Sequence, residues 1–367
     1  MNPWFARHRP GRCPGLSHGR PVGAVMRTLK SPGISPERAA SHQPRATPWA
    51  TNATIFVGKR SILWAIVFLL SLAVPSFGED LPRFFFEGNG RLVLRHAYFE
   101  TTLDVRYRRA DGSYDPAALK QIEHFFRSRE DGREAPVPLR LVELLSYIQD
   151  HYHPRQMILL SGFRSSEFNT ELRNAGGAVA QASLHTEAMA ADIMFIGVDM
   201  GRVWHRLRDL GTGGVGYYRQ NKFIHIDTGP PRFWEASTSR VRENLSADNA
   251  RVFLATDFDR YRDLKGASCV LHSVTAYPIM ISSHAKVVGA DEALLTIEPR
   301  NGAGLNADGC FAVSSPDARE FQVGSVTPAT GHIVAGGQSR IVLSTCEPRI
   351  GKTPTEITSN PIEIRRR

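Results

Sequence analysis

The stretch Ser183-Leu-His-Thr-Glu-Ala-Met-Ala-Ala-Asp-Ile-Met-Phe195 joins two kinds of backbone. Its first half is small and polar. Its second half, Ala190–Phe195, is an apolar run interrupted by a single carboxylate, and it reads as a strand. Side chains alternate faces along a strand, so Ala190, Asp192 and Met194 share one side while Ile193 and Phe195 take the other. The run Phe223-Ile-His-Ile-Asp227 repeats the pattern, with His225 and Asp227 on one face and Ile224 and Ile226 on the other. A carboxylate in an apolar strand is costly to bury unless it is paired or bound to a cation. His185, Asp192 and His225 together supply two imidazoles and one carboxylate. That set suits a single catalytic zinc ion whose fourth position is left to water. His-x6-Asp and His-x-Asp are weak signals in isolation; their weight comes from interrupting strands that are otherwise apolar.

Working outward, Asp115-Pro116 is a helix start, with Asp as N-cap and Pro at the first helical position, and Leu119, Ile122 and Phe126 fall on one face. Pro138 opens a second helix with Leu141, Leu144, Leu145 and Ile148 on its stripe. Met157–Ser161 is a short strand ending at Gly162. Ser165 or Ser166 caps a helix running through Leu172, which Gly176-Gly177 stops. Gly201–Leu210 is helical, and Gly213-Gly-Val-Gly216 leads into one strand over Tyr217–Asp227. Short strands at Arg91–Arg95 and Thr102–Tyr107 precede all of these. The expected fold is α+β: a small antiparallel or mixed sheet with flanking helices, carrying the zinc site, over residues 79–235. Residues 236–367 change character to β-type runs such as Ala285-Lys-Val-Val and Ser339-Arg-Ile-Val-Leu-Ser, separated by Gly, Pro, Asn and Asp. They read as a small all-β domain of unassigned role.

The net charge of +9 is confined to the N-terminus. Residues 1–60 hold ten Lys/Arg and one acid, Glu37, and the rest of the chain carries equal numbers of each sign. The body has no basic excess to neutralise a phosphate backbone, which argues against a nucleic-acid partner. Lys59-Arg60 precede an apolar run, Ser61–Val74, too short to span a bilayer comfortably, and small residues follow at Ser76 and Gly78. Residues 59–78 therefore read as a secretory signal peptide, or as an anchor if left uncleaved. Residues 1–58, rich in Arg, Pro and Ser, read as a disordered leader or as sequence upstream of the true start. Cys13 lies in this leader. Of Cys269, Cys310 and Cys346, two are expected to pair in an exported protein, and the sequence leaves open which two.

Several motifs in order resemble one family: Ser161-Gly-Phe-Arg164-Ser, Asn169 with Leu172-Arg173, Ser183-Leu-His-x6-Asp192-Ile, Gly213-Gly-Val-Gly-Tyr-Tyr218, and Phe223-Ile-His-Ile-Asp-Thr-Gly229 followed by Arg232-Phe-Trp234. Over roughly residues 90–235 the chain is similar to the MepK-type murein endopeptidases, relatives of the zinc D-Ala-D-Ala carboxypeptidases. The resemblance implies a zinc peptidase of an exported compartment, the periplasm, acting on peptidoglycan stem peptides. It implies His185, Asp192 and His225 as zinc ligands. The family usually carries Gly where this chain has Ala188, a costly change if the backbone there has positive φ. Arg164 follows a strand and a glycine, and its planar fork suits a peptide carboxylate, as the resemblance also implies; a structural salt bridge is the alternative. Ser183 either binds substrate or holds the His185 loop. Asp227 is the first candidate for the general base, with orientation of a ligand imidazole as its rival role, and Glu187 is the second candidate. Three functions stay open: cleavage of murein cross-links, removal of a terminal D-alanine from stem peptides, or non-catalytic binding of murein.

Overall fold

The computed structural model of the chain describes residues 82–176, 180, 183–239, 249–274, 278–301, 304–313, 319–329, 337–346 and 352–365. The leader and the signal segment lie outside the described residues, as does most of the stretch that joins residues 79–235 to the β-rich region. Residues 79–367 belong to one compact unit. No helix among the described residues is long and apolar enough to cross a membrane.

The first sheet has seven strands: β1 (Arg91–His96), β2 (Thr102–Arg106), β3 (Gln156–Ser161), β4 (Ala190–Ile196), β5 (Gly214–Tyr218), β6 (Phe223–Asp227) and β7 (Arg232–Glu235). Their order is β2-β1-β3-β4-β6-β5-β7. The pairs β1/β3 and β5/β7 are parallel and the rest antiparallel. Among the described residues four α-helices accompany it: α1 (Pro116–Phe125), α2 (Leu139–Tyr152), α3 (Ser166–Asn174) and α4 (Met200–Leu210). Their starts follow local chemistry. Asp115 accepts hydrogen bonds from the amides of Ala117 and Ala118, Ser165 from Phe168, and Asp199 from Gly201. Ile122, Leu141, Leu145, Ile148, Val203 and Leu207 from α1, α2 and α4 join Ile193, Ile224 and Ile226 in one core. The isoleucine face of β4 and β6 is thus the buried one, leaving Asp192 and His225 on the opposite face.

The single strand expected over Tyr217–Asp227 is in fact a hairpin. β5 ends at Tyr218, β6 begins at Phe223, and the amides of Asn221 and Lys222 bond back to the carbonyls of Tyr218 and Arg219. The polar run Arg219-Gln-Asn-Lys222 is its turn, with Lys222 at φ 56°.

The C-terminal region is all-β. The strands β8 (Phe253–Thr256), β10 (Ser268–His272), β11 (Ile279–Gly289), β12 (Ala293–Pro299), β13 (Cys310–Val313), β14 (Glu320–Pro328), β15 (Ser339–Thr345) and β16 (Glu356–Thr358) form a second sheet, and the two-residue strands β9 (Arg260–Tyr261) and β17 (Glu363–Ile364) pair separately. β13 and β15 both pair with β11, which brings Cys310 to Cys346 as a disulfide and leaves Cys269 a buried free thiol. This sheet has its own core around Phe311, Phe321, Ile281 and Leu343. It is also tied to the first. Asp259 pairs with Arg140 of α2 at 2.7 Å and accepts from the amide of Phe85, while the Arg83 carbonyl accepts from the amides of Asp259 and Arg260.

Candidate metal centre

Sheet register lines up the site. Asp192 on β4 stands opposite His225 on β6, and the same row continues to Ser161 on β3 and to Gly216 on β5. His185 arrives from a single 3-10 turn, Leu184–Glu187, just before β4. His185 Nε2, His225 Nδ1 and Asp192 Oδ1 then form a triangle with edges of 3.2, 3.0 and 3.4 Å. Three ligand atoms at about 2.1 Å from a tetrahedral zinc lie about 3.4 Å apart, so the triangle has the dimensions of such a site.

The outer hydrogen bonds decide which ring nitrogen carries a proton. His185 Nδ1 lies 2.7 Å from the Gly162 carbonyl, which can only accept, so Nδ1 donates and Nε2 keeps its lone pair. His225 Nε2 lies 2.9 Å from Asp227 Oδ2, which likewise accepts, so the lone pair of His225 is on Nδ1. Three lone pairs therefore converge on one point. Such an arrangement calls for a positive charge there: a metal ion, or a proton on His225. Burial, helped by the nearby Arg164 charge, pushes His185 down to about 4, which keeps it neutral as a ligand must be. Burial also works against a charge on His225, but hydrogen bonds to Asp192 and Asp227 outweigh it and raise its pKa. For Asp192, burial alone would raise the pKa, and the two imidazoles hold it well below the usual carboxylate range.

Arg164 is engaged in an ion pair. Its Nη2 donates to Asp192 Oδ2 at 3.0 Å and its Nε to Ser161 Oγ at 3.0 Å. The structural salt bridge weighed from the sequence is thus present, on the carboxylate oxygen that the triangle does not use.

Asp227 lies on the same strand face as His225 but does not reach the triangle. Its oxygens accept five hydrogen bonds, from His225 Nε2, from Nη1 and Nη2 of Arg232, and from the amides of Gly214 and Gly229. Burial pushes this carboxyl up, but the Arg232 charge and the His225 hydrogen bond prevail and hold it well below its ordinary range. Asp227 is fully buried, and both of its oxygens are occupied by these donors. Glycine is required beside it: a Cβ at Gly214 would stand 2.2 Å from Asp227 Oδ2. Gly216 serves the neighbouring indole, since a Cβ there would meet the Trp234 ring at 2.4 Å. That ring lies 5.2 Å from His225, and its Nε1 donates to the Tyr218 hydroxyl.

Ser183 precedes the His185 turn. Its carbonyl accepts from the amide and hydroxyl of Thr186, while its side chain makes no capping bond. Glu187 is held by Arg319 and His272 of the C-terminal region. Ala188 has φ 53°, the left-handed conformation for which glycine is preferred. His151, His153 and His205 are exposed and stand apart from the triangle. Gly162, Gly214 and Arg232 belong to the sequence motifs, but nothing in the sequence alone gives them a role at the site. The Gly213-Gly-Val-Gly216 run was the signal that could have pointed to close packing there.

The family model described as "Peptidoglycan L,D-endopeptidase MepK" matches residues 89–234. The peptidoglycan L,D-endopeptidase MepK of Escherichia coli strain K12 is 34% identical over 122 residues, covering 33% of this chain and 67% of that protein. A probable peptidoglycan L,D-endopeptidase MepK of Haemophilus influenzae is 32% identical over 124 residues, with the same shares. No solved structure matches the chain. The matched segment contains every residue of the triangle and its supporting shell, apart from Arg319 and His272, and the chain belongs to the MepK family of peptidases.

Proposed function

We propose that this protein is an exported, zinc-dependent endopeptidase that hydrolyses peptide cross-links of peptidoglycan in the periplasm. The observation that carries the reading is the convergence of three lone pairs, from His185, Asp192 and His225, in a buried triangle of zinc dimensions. Family membership supports the substrate class and the reaction. The proposed organisation is a signal segment at 59–78, a catalytic domain at 79–235 and a β-rich domain at 236–367. The neutral body of the chain fits a substrate that is not nucleic acid, and contact with a membrane would be through the signal segment alone.

Zinc at the triangle would polarise the scissile carbonyl and lower the pKa of a bound water towards ~7. The chain's own groups prepare that chemistry. The Gly162 carbonyl and Asp227 fix the two imidazole tautomers, so both rings present lone pairs without reorganisation. Arg164 neutralises the second oxygen of Asp192 and keeps that side chain from rotating. Its Nη1, the guanidinium nitrogen not engaged by Ser161 or Asp192, is assigned to a carboxylate of the stem peptide. Ser183, at the entry to the His185 turn, is assigned to the substrate backbone. We assign Asp227 to positioning His225 rather than to proton transfer, and Glu187 to holding its loop.

Metal analysis of the purified protein, coupled to digestion of isolated peptidoglycan by wild type and His185→Ala, tests the proposal. The expected result is one zinc per chain and cross-linked muropeptide dimers split into monomers by wild type alone. Absence of zinc from wild type, or unchanged cleavage by His185→Ala, would refute it. Release of free D-alanine without dimer cleavage would establish the carboxypeptidase reading instead.

A further inference from the structure

The turn that carries His185 is short, and the C-terminal β region contacts it at two places. Leu184, Met189 and Ala190 form a small buried cluster with Phe253 and Ala255 of β8. Two residues after His185, Arg319 Nη1 lies 3.1 and 3.2 Å from the two Glu187 carboxylate oxygens, and His272 Nδ1 lies 3.2 Å from Oε2. These partners are themselves anchored. Arg319 Nη2 donates to the Val274 carbonyl at 2.8 Å, the Arg319 carbonyl accepts from the Leu271 amide, and the His272 ring stacks on Phe253 with centroids 5.3 Å apart. Next in the chain comes Ala188 in its left-handed conformation. A strained residue persists only where its surroundings over-determine it. Here the surroundings are the hydrogen bonds from the Ala188 amide to the His185 carbonyl and from the Met189 amide to the Leu184 carbonyl, together with the Glu187 ion pairs.

We infer that the C-terminal β region is a working part of the metal centre, in which Arg319 and His272 clamp Glu187 and so position His185. The inference rests on the proposed ligand role of His185. It assigns the β region a function that nothing within residues 89–234 supplies, since both clamp donors lie beyond that segment. Arg319, His272 and Glu187 are positioning residues and touch no reacting atom.

The test uses the full chain with Arg319→Met, Arg319→Lys and Glu187→Gln. Zinc affinity is measured by competition with a chromophoric chelator, melting is measured on the chelated protein, and kcat and KM are measured on cross-linked muropeptides. Arg319→Met and Glu187→Gln are expected to bind zinc at least tenfold more weakly and to lose kcat with KM unchanged within about twofold, in line with other groups that orient ligands. Arg319→Lys should regain most of the affinity. Should Arg319→Met fail to fold without metal, Glu187→Gln carries the same test. Zinc affinity within twofold of wild type in both variants overturns the inference, as does a loss confined to the melting of the chelated protein. If wild type itself takes up no zinc, the reading of the centre fails and this inference falls with it. Normal zinc in wild type with unaltered variants overturns the clamp alone.

Discussion

Asp227→Asn changes one oxygen to an amide nitrogen in a place where every neighbour is a donor. Asp227 Oδ2 accepts from His225 Nε2 at 2.9 Å and Arg232 Nη2 at 2.6 Å; Oδ1 accepts from the amides of Gly214 and Gly229 at 2.9 and 3.0 Å and from Arg232 Nη1 at 3.2 Å. An asparagine oxygen can serve only one of these two groups, and its NH2 must face the other. With the NH2 towards His225, the imidazole relieves the donor clash by moving its proton to Nδ1, which places a hydrogen inside the ligand triangle. With the NH2 towards Gly214 and Gly229, one buried and one half-buried amide lose their acceptor, at about 1 to 3 kcal/mol for the buried one and less for the other. Loss of a group that orients a ligand lowers metal affinity by about 10- to 100-fold, or roughly 1.4 to 2.7 kcal/mol. Breaking a buried ion pair costs about 3 to 5 kcal/mol, and the 31% exposure of the Arg232 side chain moves the expected loss of stability to about 2 kcal/mol. The assay is zinc competition against a chromophoric chelator, read beside the 15N shifts of His225 and a denaturant melt. Zinc bound within twofold of wild type, with His225 still protonated at Nε2, would refute the argument.

Gly214→Ala should weaken zinc binding through the same route, because its Cβ would collide with Asp227 Oδ2; zinc titration of a folded variant with wild-type affinity would contradict this. Ala188→Gly deletes a buried methyl, a loss of about 0.8 kcal/mol, but relieves a left-handed alanine at a cost of about 1 kcal/mol; stability should change by less than about 1 kcal/mol in a urea melt, and a larger loss would show that φ 53° carries no strain here. His96 is buried, and its Nδ1 accepts from the amides of Tyr98 and Phe99. Burial first, then the charges of Arg127 and Arg129, lower it to about 4. Its folded pKa is thus below its unfolded one, so its contribution is complete above about pH 6.5 and is lost as pH falls towards 4, by up to about 3 kcal/mol. His96→Asn, which keeps an acceptor, should flatten that slope in melts between pH 4 and 7. Removing the Cys310–Cys346 bond, which closes a separation of 36 residues, should cost about 3 kcal/mol of stability in a denaturant melt, while Cys269 stays unreactive to thiol reagents in the folded state because burial hides it and raises its pKa.

Much of the seven-stranded sheet and its helices is legible residue by residue. Asp115-Pro116 begins α1, Ser165 caps α3, and the isoleucines beside Asp192 and His225 pack into the core. These features depend on near neighbours in the chain, and local periodicity and capping report them directly. The hairpin at Arg219–Lys222 is not legible in this way, because apolar strand residues stand on both sides of a turn that lacks glycine.

Asp227 shows where that kind of reading stops. Alternation correctly puts it on the face of His225, but same-face neighbours on a strand stand about 6.6 Å apart, twice the rise per residue. One of them can join the triangle while the other stands behind it, and alternation cannot say which. Arg232 and Gly214, reaching Asp227 from β7 and β5, make that choice. Glu187 was likewise a free carboxylate beside His185 until the fold brought Arg319 to it across 132 residues of chain. The sequence by itself determined the residue types of the triangle, the strand faces of Asp192 and His225, and the family. The tertiary structure alone decided which nitrogen of each imidazole faces into the triangle and which carboxylate supports it, because hydrogen bonds from distant segments fix tautomers and occupy lone pairs.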